Sequence, residues 1–284
     1  MQGGVVPRRR LDLCLFAIAV LSAGAAHAQS VEQLRSMSID ELANVDVSSV
    51  TKTPQPLSDA PAAIYVISHD DIVRSGATTI PEILRLAPNL EVFQTSASGY
   101  VVTARGFNGN PASQSFANKL LVLIDGRSVY SPLFSGVYWD MQDVVPDDIE
   151  RIEVISGPGA TLWGANAVNG VINIITKGAG DTQGALLDVQ GGGFERDVAA
   201  RYGGAIGQQL RYRVYISAID QDATRTTTGL PAQDDWSRIQ GGFRLDWTPN
   251  ALFTLTLQGD AYGGRESQLD EPDEDISGRN GMAR

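Results

Sequence analysis

The sequence has little of the chemistry that thiols and imidazoles supply. Its 284 residues contain one cysteine and two histidines, and Cys14 and His27 both lie within the first 28 residues. Beyond that segment there is no thiol, which excludes disulfide scaffolds and cysteine nucleophiles. With His69 as the remaining histidine, a zinc or copper site built by the protein is not expected, and no cofactor is expected either.

Positive charge is also scarce. The chain has 22 lysines and arginines against 33 aspartates and glutamates, which gives a formal net charge of −11. An acidic chain of this kind repels the phosphates of a nucleic acid backbone. We therefore do not expect the protein to bind nucleic acid.

Long apolar runs are missing as well. Residues 11–21 form an apolar run interrupted by Asp12, which is too short for a helix across a bilayer, since such a helix needs roughly 20 residues. Arginines at 8–10 precede this run, and Ala26-His27-Ala28 follows it with small residues at the two positions that a signal peptidase reads. Residues 1–28 are therefore expected to be a secretory signal peptide, and the rest of the chain is expected to be exported.

Two different patterns follow the expected signal peptide. Residues 29–60 contain a short amphipathic stretch, which is expected to form a short helix or a mobile arm, and a proline-rich linker, which is expected to be extended and exposed. Residues 61–180 contain runs rich in β-branched residues together with two short helical patterns, which predicts a compact α/β module. Within it, Asp125-Gly126 between two apolar runs predicts a β-hairpin, because glycine supplies a positive φ.

His69 lies in the run Ser68-His69-Asp70-Asp71, directly after an apolar strand segment. Serine and aspartate satisfy free backbone N–H groups at the start of a helix, so we expect a helix to begin here. The alternative is a periplasmic hydrolase in which His69 acts with Asp70 or Asp71. On the helix interpretation His69 has no catalytic role, and we do not expect the chain to be an enzyme.

Residues 184–284 contain segments of about ten residues in which apolar and polar side chains alternate. For example, the apolar face of one segment is formed by Tyr212, Val214, Ile216 and Ala218, and its polar face by Arg211, Arg213, Tyr215 and Ser217. About five such strands are expected, followed by an acidic, glycine-containing tract at 270–284 that lacks a terminal aromatic strand. Two structures fit this period of two: a barrel wall between lipid and water, and a soluble sandwich with one wet face.

A glycine-dense segment connects the last two β-rich runs of the α/β module. Gly159 and Gly164 have the spacing of a phosphate-binding loop, but Ala165 and Asn166 follow where that loop needs lysine and a hydroxyl residue. A dinucleotide fingerprint fails too, because position 162 is leucine. The glycines are instead expected to allow tight turns and close backbone approach. They are Gly157, Gly159, Gly164 and Gly170.

Four ordered segments resemble the plug domain of TonB-dependent outer-membrane receptors. The run 149–177 (IERIEVISGPGATLWGANAVNGVINIITK) is similar to the closing part of that domain, and 59–92 is similar to its opening. Ala104-Arg105-Gly106-Phe107 matches the family's Arg-Gly-Phe element, and 120–140 resembles its central hairpin. The resemblance implies an α+β plug domain followed by antiparallel strands of a transmembrane β-barrel. Because the family barrel has roughly 22 strands, an incomplete barrel and a partial chain are expected.

The resemblance also implies a function and a partner. Receptors of this family take up scarce nutrients such as ferric siderophores or cobalamin in the bacterial outer membrane, with energy supplied through TonB. The segment that would add a strand to TonB is Asp46, Val47, Ser48, Ser49 and Val50. A secreted, soluble periplasmic protein with a plug-like binding or regulatory role is the alternative.

The resemblance places ligand contacts on the outward plug loops. The candidates are Asn108, Asn110, Gln114, Tyr130, Phe134, Tyr138 and Trp139. The aromatic members are suited to stacking on a metal chelate or a cobalamin-like macrocycle, and they are equally suited to packing inside the plug. Arg105 and Gly106 are assigned to structure, with Glu150 or Glu153 as carboxylate partners for Arg105.

Overall fold

The computed structural model describes residues 46–47, 55–56, 63–104, 119–131, 136–157, 163–164, 166–268 and 272–284. The expected signal peptide lies outside the described residues. In the described residues no helix is long and apolar enough to cross a membrane.

The first part of the chain forms an α+β domain built on a sheet with the strand order β3-β8-β9-β6-β7. Strands β6 and β9 are parallel, and the other neighbours are antiparallel. Ahead of it, β1 (Asp46–Val47) pairs with β2 (Gln55–Pro56), and a separate hairpin pairs β4 with β5. The elements are β3 (Ala63–Ser68), α1 (His69–Ser75), α2 (Ile80–Leu84), β4 (Leu90–Gln94), β5 (Tyr100–Ala104), β6 (Leu120–Ile124), β7 (Arg127–Ser128), β8 (Ile149–Ser156) and β9 (Gly170–Thr176).

Local sequence signals explain two boundaries in this domain. Helix α1 begins with a capping box, in which the Ser68 hydroxyl accepts from the Asp71 N–H at 3.2 Å and the Asp71 carboxylate accepts from the Ser68 N–H at 3.3 Å. The β6–β7 turn has left-handed backbone at both central residues, with φ of 50° at Asp125 and 85° at Gly126. The expected helix start and hairpin are confirmed.

The core of the α+β domain is apolar and closed. Strands β8 and β9 bury alternate residues against α1 and α2, so that Ile72, Ile83, Ile152 and Ile172 all lie in one cluster. Burying a side chain of this size stabilises a fold by about 1.5–3 kcal/mol. Trp139, in a short 3-10 turn, packs into the same cluster.

The second part of the chain is a six-stranded antiparallel sheet in sequence order, here called the wall. Its strands are β10 (Gly184–Gly191), β11 (Glu195–Ile206), β12 (Leu210–Gln221), β13 (Trp236–Asn250), β14 (Phe253–Glu266) and β15 (Glu274–Ala283). The expectation of about five strands was too low. The acidic tract folds as β15, because its backbone pairs with β14 from Leu257 to Glu266 although its side chains lack the apolar alternation.

The two faces of the wall are opposite to those of a soluble sheet. Apolar side chains point away from the α+β domain, with Leu187 70% exposed, Val189 68% and Ile216 50%. Arginine, glutamine and serine side chains point towards it and are buried, among them Arg213, Ser217 and Gln240. The connections after β11 and β13 are short turns, whereas β12 and β13 are joined by residues 222–235. We call the end of the strands that carries these short turns the short-turn end of the wall, and the opposite end, which carries residues 222–235, the long-loop end.

Candidate functional site: the interface between the α+β domain and the wall

Buried arginines line the inner face of the wall. Arg213 on β12 is 5% exposed, and Arg244 on β13 is 6% exposed. An arginine cannot lose its charge at ordinary pH, so burial requires partners that accept hydrogen bonds. Most of those partners come from the α+β domain, and Asp246 of the wall is a further partner of Arg244.

At the short-turn end the arginines meet the end of β9. Both Arg213 and Arg244 donate to the Thr176 hydroxyl, at 3.2 and 3.0 Å, and Arg213 also donates to the Lys177 carbonyl at 2.9 Å. Thr176 in turn donates its N–H (2.9 Å) and its hydroxyl (2.7 Å) to the carboxylate of Asp125. Gln258 on β14 donates to the same carboxylate at 3.0 Å. The hairpin turn, strand β9 and three wall strands are thus bonded around one buried acid.

A second buried acid, Asp148, precedes strand β8. Its carboxylate bonds to Arg201 on β11 and lies 3.5 Å from Arg213 Nε. All three side chains are largely removed from water. Two positive charges beside one buried carboxylate form an ion triad whose separate members would be costly to bury.

The segment that leads from β9 into the wall is fixed as well. The Ala179 N–H donates to the Asp246 carboxylate at 2.7 Å, and Asp246 also accepts from Thr256 at 2.7 Å and from Arg244 Nε at 3.0 Å. Beside these groups lies a cavity of about 60 Å³, lined by charged side chains of both parts that include Asp125, Arg213 and Arg244. The volume and the polar lining suit ordered water. The interface is therefore polar rather than a continuation of the apolar core.

The long-loop end has its own set of bonds. Arg238 on β13 donates to the Asp140 carbonyl, and its Nη2 lies 2.6 Å from the Asp143 carboxylate. Burial raises the pKa of the Asp140 carboxyl.

His69 occupies the first turn of α1, as the capping signal predicted. Its Nδ1 lies 2.8 Å from the Ile149 carbonyl oxygen, and its Nε2 lies 2.9 Å from Lys177 Nζ. Because a carbonyl can only accept, Nδ1 carries the proton and Nε2 accepts from the ammonium group. Burial and the Lys177 charge lower the pKa of His69. The imidazole is thus engaged in joining α1, β8 and the end of β9.

The ligand-contact candidates are only partly described. Tyr130 and Tyr138 are half-buried, on either side of a bridge between Ser131 and Gly136. Trp139 is buried in the core, so for this residue the structure favours packing over ligand contact. Asn108, Asn110, Gln114 and Phe134 lie outside the described residues, and their role stays a prediction.

The residues predicted to bind TonB or to stabilise the plug are also only partly described. Asp46 and Val47 form β1, whereas Ser48, Ser49 and Val50 lie outside the described residues. Arg105, Gly106 and Gly159 also lie outside them. Glu150 and Glu153 both form ion pairs with Arg151. In the second pair, Arg151 Nε lies 2.8 Å from Glu153 Oε1.

The remaining glycines have the backbone that turns and close approach require. Gly157 and Gly164 have φ of 112° and 91°, values that side-chain-bearing residues rarely adopt. Gly170 is extended, but a Cβ there would lie 2.4 Å from the Ile155 carbonyl oxygen. The first two serve turns, and the third serves the close pairing of β8 and β9.

Sequence reasoning missed the acids Asp125 and Asp148 and the acceptor Thr176. A partial signal was present for their partners, because Arg213 and Arg244 occupy the polar positions of alternating strands. An alternation assigns a face, but it does not say which carboxylate 65 to 119 residues away will meet that face.

Comparisons with known proteins agree with this architecture. Residues 56–171 match the family model described as TonB-dependent Receptor Plug Domain. The chain is 32% identical over 148 residues to the vitamin B12 transporter BtuB of Vibrio vulnificus, covering 51% of this chain and 23% of that protein. It is 29% identical over 267 residues to a ferric enterobactin receptor of Pseudomonas aeruginosa, covering 88% and 32%.

Solved structures match the fold. The ferripyoverdine receptor of the outer membrane of Pseudomonas aeruginosa superposes with a TM-score of 0.65 at 16% identity, over 84% of this chain and 33% of that one. The copper transporter OprC superposes with a TM-score of 0.58 at 18% identity, over 78% and 33%. The chain spans between about a quarter and a third of the length of these relatives.

An α+β domain bonded to the polar inner face of a wall with an apolar outer face defines a plugged membrane protein. The chain contains the plug domain of TonB-dependent receptors, followed by antiparallel strands that are similar to those of the receptors' barrels. The protein is placed in the outer membrane. The relatives are transporters and receptors rather than enzymes.

Proposed function

We propose that the chain serves a receptor that takes up a scarce nutrient across the outer membrane with energy supplied through TonB. The observation that carries the proposal is the inverted wall, in which Leu187, Val189 and Ile216 face outwards while Arg213 and Arg244 face the plug. An apolar outer band is what a lipid bilayer requires of a barrel strand. A plug bonded to the inner face supports a gated pathway rather than an open pore.

The substrate class that we propose is a metal chelate or a cobalamin-like macrocycle. Support comes from the names of the relatives, which include a vitamin B12 transporter and a ferric enterobactin receptor. Tyr130 and Tyr138 are the described aromatic residues that could stack on such a ligand, since both are partly exposed. The long-loop end is taken as the extracellular side, because outer-membrane barrels have short periplasmic turns and longer outer loops.

The proposed contact with TonB is the segment 46–50. Its described part, Asp46–Val47, is already an extended strand paired with Gln55–Pro56. An extended segment with an available edge suits strand addition, in which the partner supplies backbone hydrogen bonds.

The test is a proline substitution inside this segment. Val47→Pro removes a backbone donor, so uptake should fall about tenfold, which corresponds to one or two lost hydrogen bonds. Uptake of labelled cobalamin and of a panel of ferric siderophores is measured in cells that depend on this gene, and surface binding of the same probes is measured in parallel. Binding should persist while uptake falls. Ser58→Pro, in the proline-rich linker, is the matched control, and equal uptake in both variants would sink the coupling role.

A further inference from the structure

One aspartate joins an outer loop of the wall to the plug. Asp234 ends the loop between β12 and β13, and it is buried, with 8% of its surface exposed. Its Oδ1 accepts from the Thr224 N–H at 2.7 Å, and its Oδ2 accepts from the Thr224 hydroxyl at 2.7 Å and from the Ala97 N–H at 2.9 Å. One carboxylate therefore closes its own loop and also holds the plug.

The loop that Asp234 closes is internally ordered. The Ala232 N–H donates to the Thr224 carbonyl, and the Thr226 N–H donates to the Leu230 carbonyl, both at 2.8 Å. A bridge between Arg225 and Pro231 continues the same pairing. Because the backbone bonds run along the loop, residues 224–232 form a short ordered stalk whose base at Thr224 is bonded to Asp234.

On the plug side the partner is the tip of the β4–β5 hairpin. The hairpin closes through a bond from the Thr95 N–H to the Gly99 carbonyl at 2.9 Å, while the Ala97 N–H goes to Asp234. Ala97 is fully buried and packs on Ile219 and Trp236 of the wall. The tip is thus held by one charge-assisted hydrogen bond and by a small apolar socket.

The backbone beside Asp234 is unusual. Gln233 has φ of 58°, a left-handed conformation that residues with a side chain seldom adopt. Such a conformation persists where the surrounding structure holds it in place, and it is often found where geometry serves function. Here it immediately precedes the side chain that reaches the plug.

We propose that Asp234 is a positioning residue that transmits movement of the loop 222–235 to the β4–β5 hairpin of the plug. Strand β5 ends at Ala104 and continues directly into 105–118, the segment that contains Asn108, Asn110 and Gln114. The use of this link in uptake rests on the proposed function, whereas the link itself does not.

The test is hydrogen exchange of the full chain in detergent micelles, with no ligand and no TonB. Asp234→Ala removes the acceptor of the Ala97 N–H, so exchange in the peptide 90–104 should become about tenfold faster. Asp234→Asn keeps the volume of the side chain and one acceptor oxygen, which can still accept from the Ala97 N–H while the amide group faces the Thr224 N–H. It should therefore accelerate exchange in this peptide less than Asp234→Ala does. Thr224→Ala is the matched control: it removes a bond within the loop and leaves the bond to Ala97, so only exchange within 222–235 should change.

The link is then tested by deleting the stalk tip, residues 226–230, with Asp234 present and with Asp234→Ala. We expect the deletion to accelerate exchange in 90–104 only when Asp234 is present. Unchanged exchange in 90–104 in Asp234→Ala would overturn the inference, and so would a deletion effect that is absent or independent of Asp234. Neither of those results touches the proposed function, which fails instead if Val47→Pro leaves uptake intact.

Discussion

The plug and the wall use strands of the same period but bury opposite faces. In the plug, Ile152 and Ile172 lie on adjacent strands, and both apolar side chains are fully buried in the core. In the wall, Ile216 is half exposed while its neighbour Ser217 is buried. Alternation alone therefore says that a strand has two environments, and the burial of the polar face says which environment is lipid.

The same contrast explains how the two regions are joined. The plug holds itself together with an apolar cluster, whereas it meets the wall mainly through Asp125, Asp148, Thr176 and their arginine partners. Apolar packing is non-directional and cooperative, while these bonds are directional and sit beside a polar cavity. An interface of this kind can be rearranged bond by bond, which suits the movable plug that the proposed function requires.

The largest effect should follow from removing the charge of Asp148. Asp148→Asn leaves Arg201 and Arg213 close together and without their buried counter-ion, and breaking a buried ion pair in this way typically costs about 3–5 kcal/mol. Stability is measured by urea unfolding in detergent, followed by tryptophan fluorescence. The midpoint should fall sharply, because the lost bonds join the plug to two wall strands.

Asp220→Asn is the matched control for that experiment. Asp220 pairs with Arg196 at 3.2 Å, but both side chains are more than half exposed. An exposed pair contributes about 0–1 kcal/mol, so the midpoint should hardly change. Equal effects of the two substitutions would show that the interface is not buried.

A somewhat smaller effect is expected on the outer face of the wall. Ile216→Arg places a charge near the middle of β12, which costs about 2–4 kcal/mol at the bilayer midplane. Folding is measured by denaturant titration in phospholipid vesicles, with Ile216→Leu as the control that keeps the side chain apolar. If the arginine variant folds as well as the leucine variant, the outer face does not contact lipid.

Much of the plug could be predicted because its signals are local. Ser68 and Asp71 cap α1 within one turn, and Asp125-Gly126 sets the β6–β7 hairpin by its own backbone conformation. The bonds of the interface could not be predicted in this way. Asp125 meets Thr176 only because β6 and β9 run in parallel side by side, and a parallel register is decided by the whole sheet.

Strand β15 shows a second limit of pattern reasoning. Its outward positions include Asp275, Ser277 and Arg279, so no apolar face marks it as a membrane strand. It forms because β14 offers a complete row of backbone donors and acceptors along its edge. The polar outward face also means that the lipid-facing band established on β10 to β13 does not extend over this strand.

The smallest effect is expected from His69, which lies half-buried at the border of the plug core. His69 is held neutral by burial and by Lys177, with weaker opposing effects from Asp147 and Asp70, so its pKa lies below the usual value of about 6.5. The unfolded chain then binds more protons, so the stability from this group is present above that value and is lost as the pH falls through the folded pKa. Urea midpoints of the full chain measured between about pH 8 and pH 5 should fall less steeply in His69→Gln than in the unaltered chain. Parallel curves would mean that the imidazole is as well solvated in the fold as in the unfolded chain, and that the polar border of the plug is open to water.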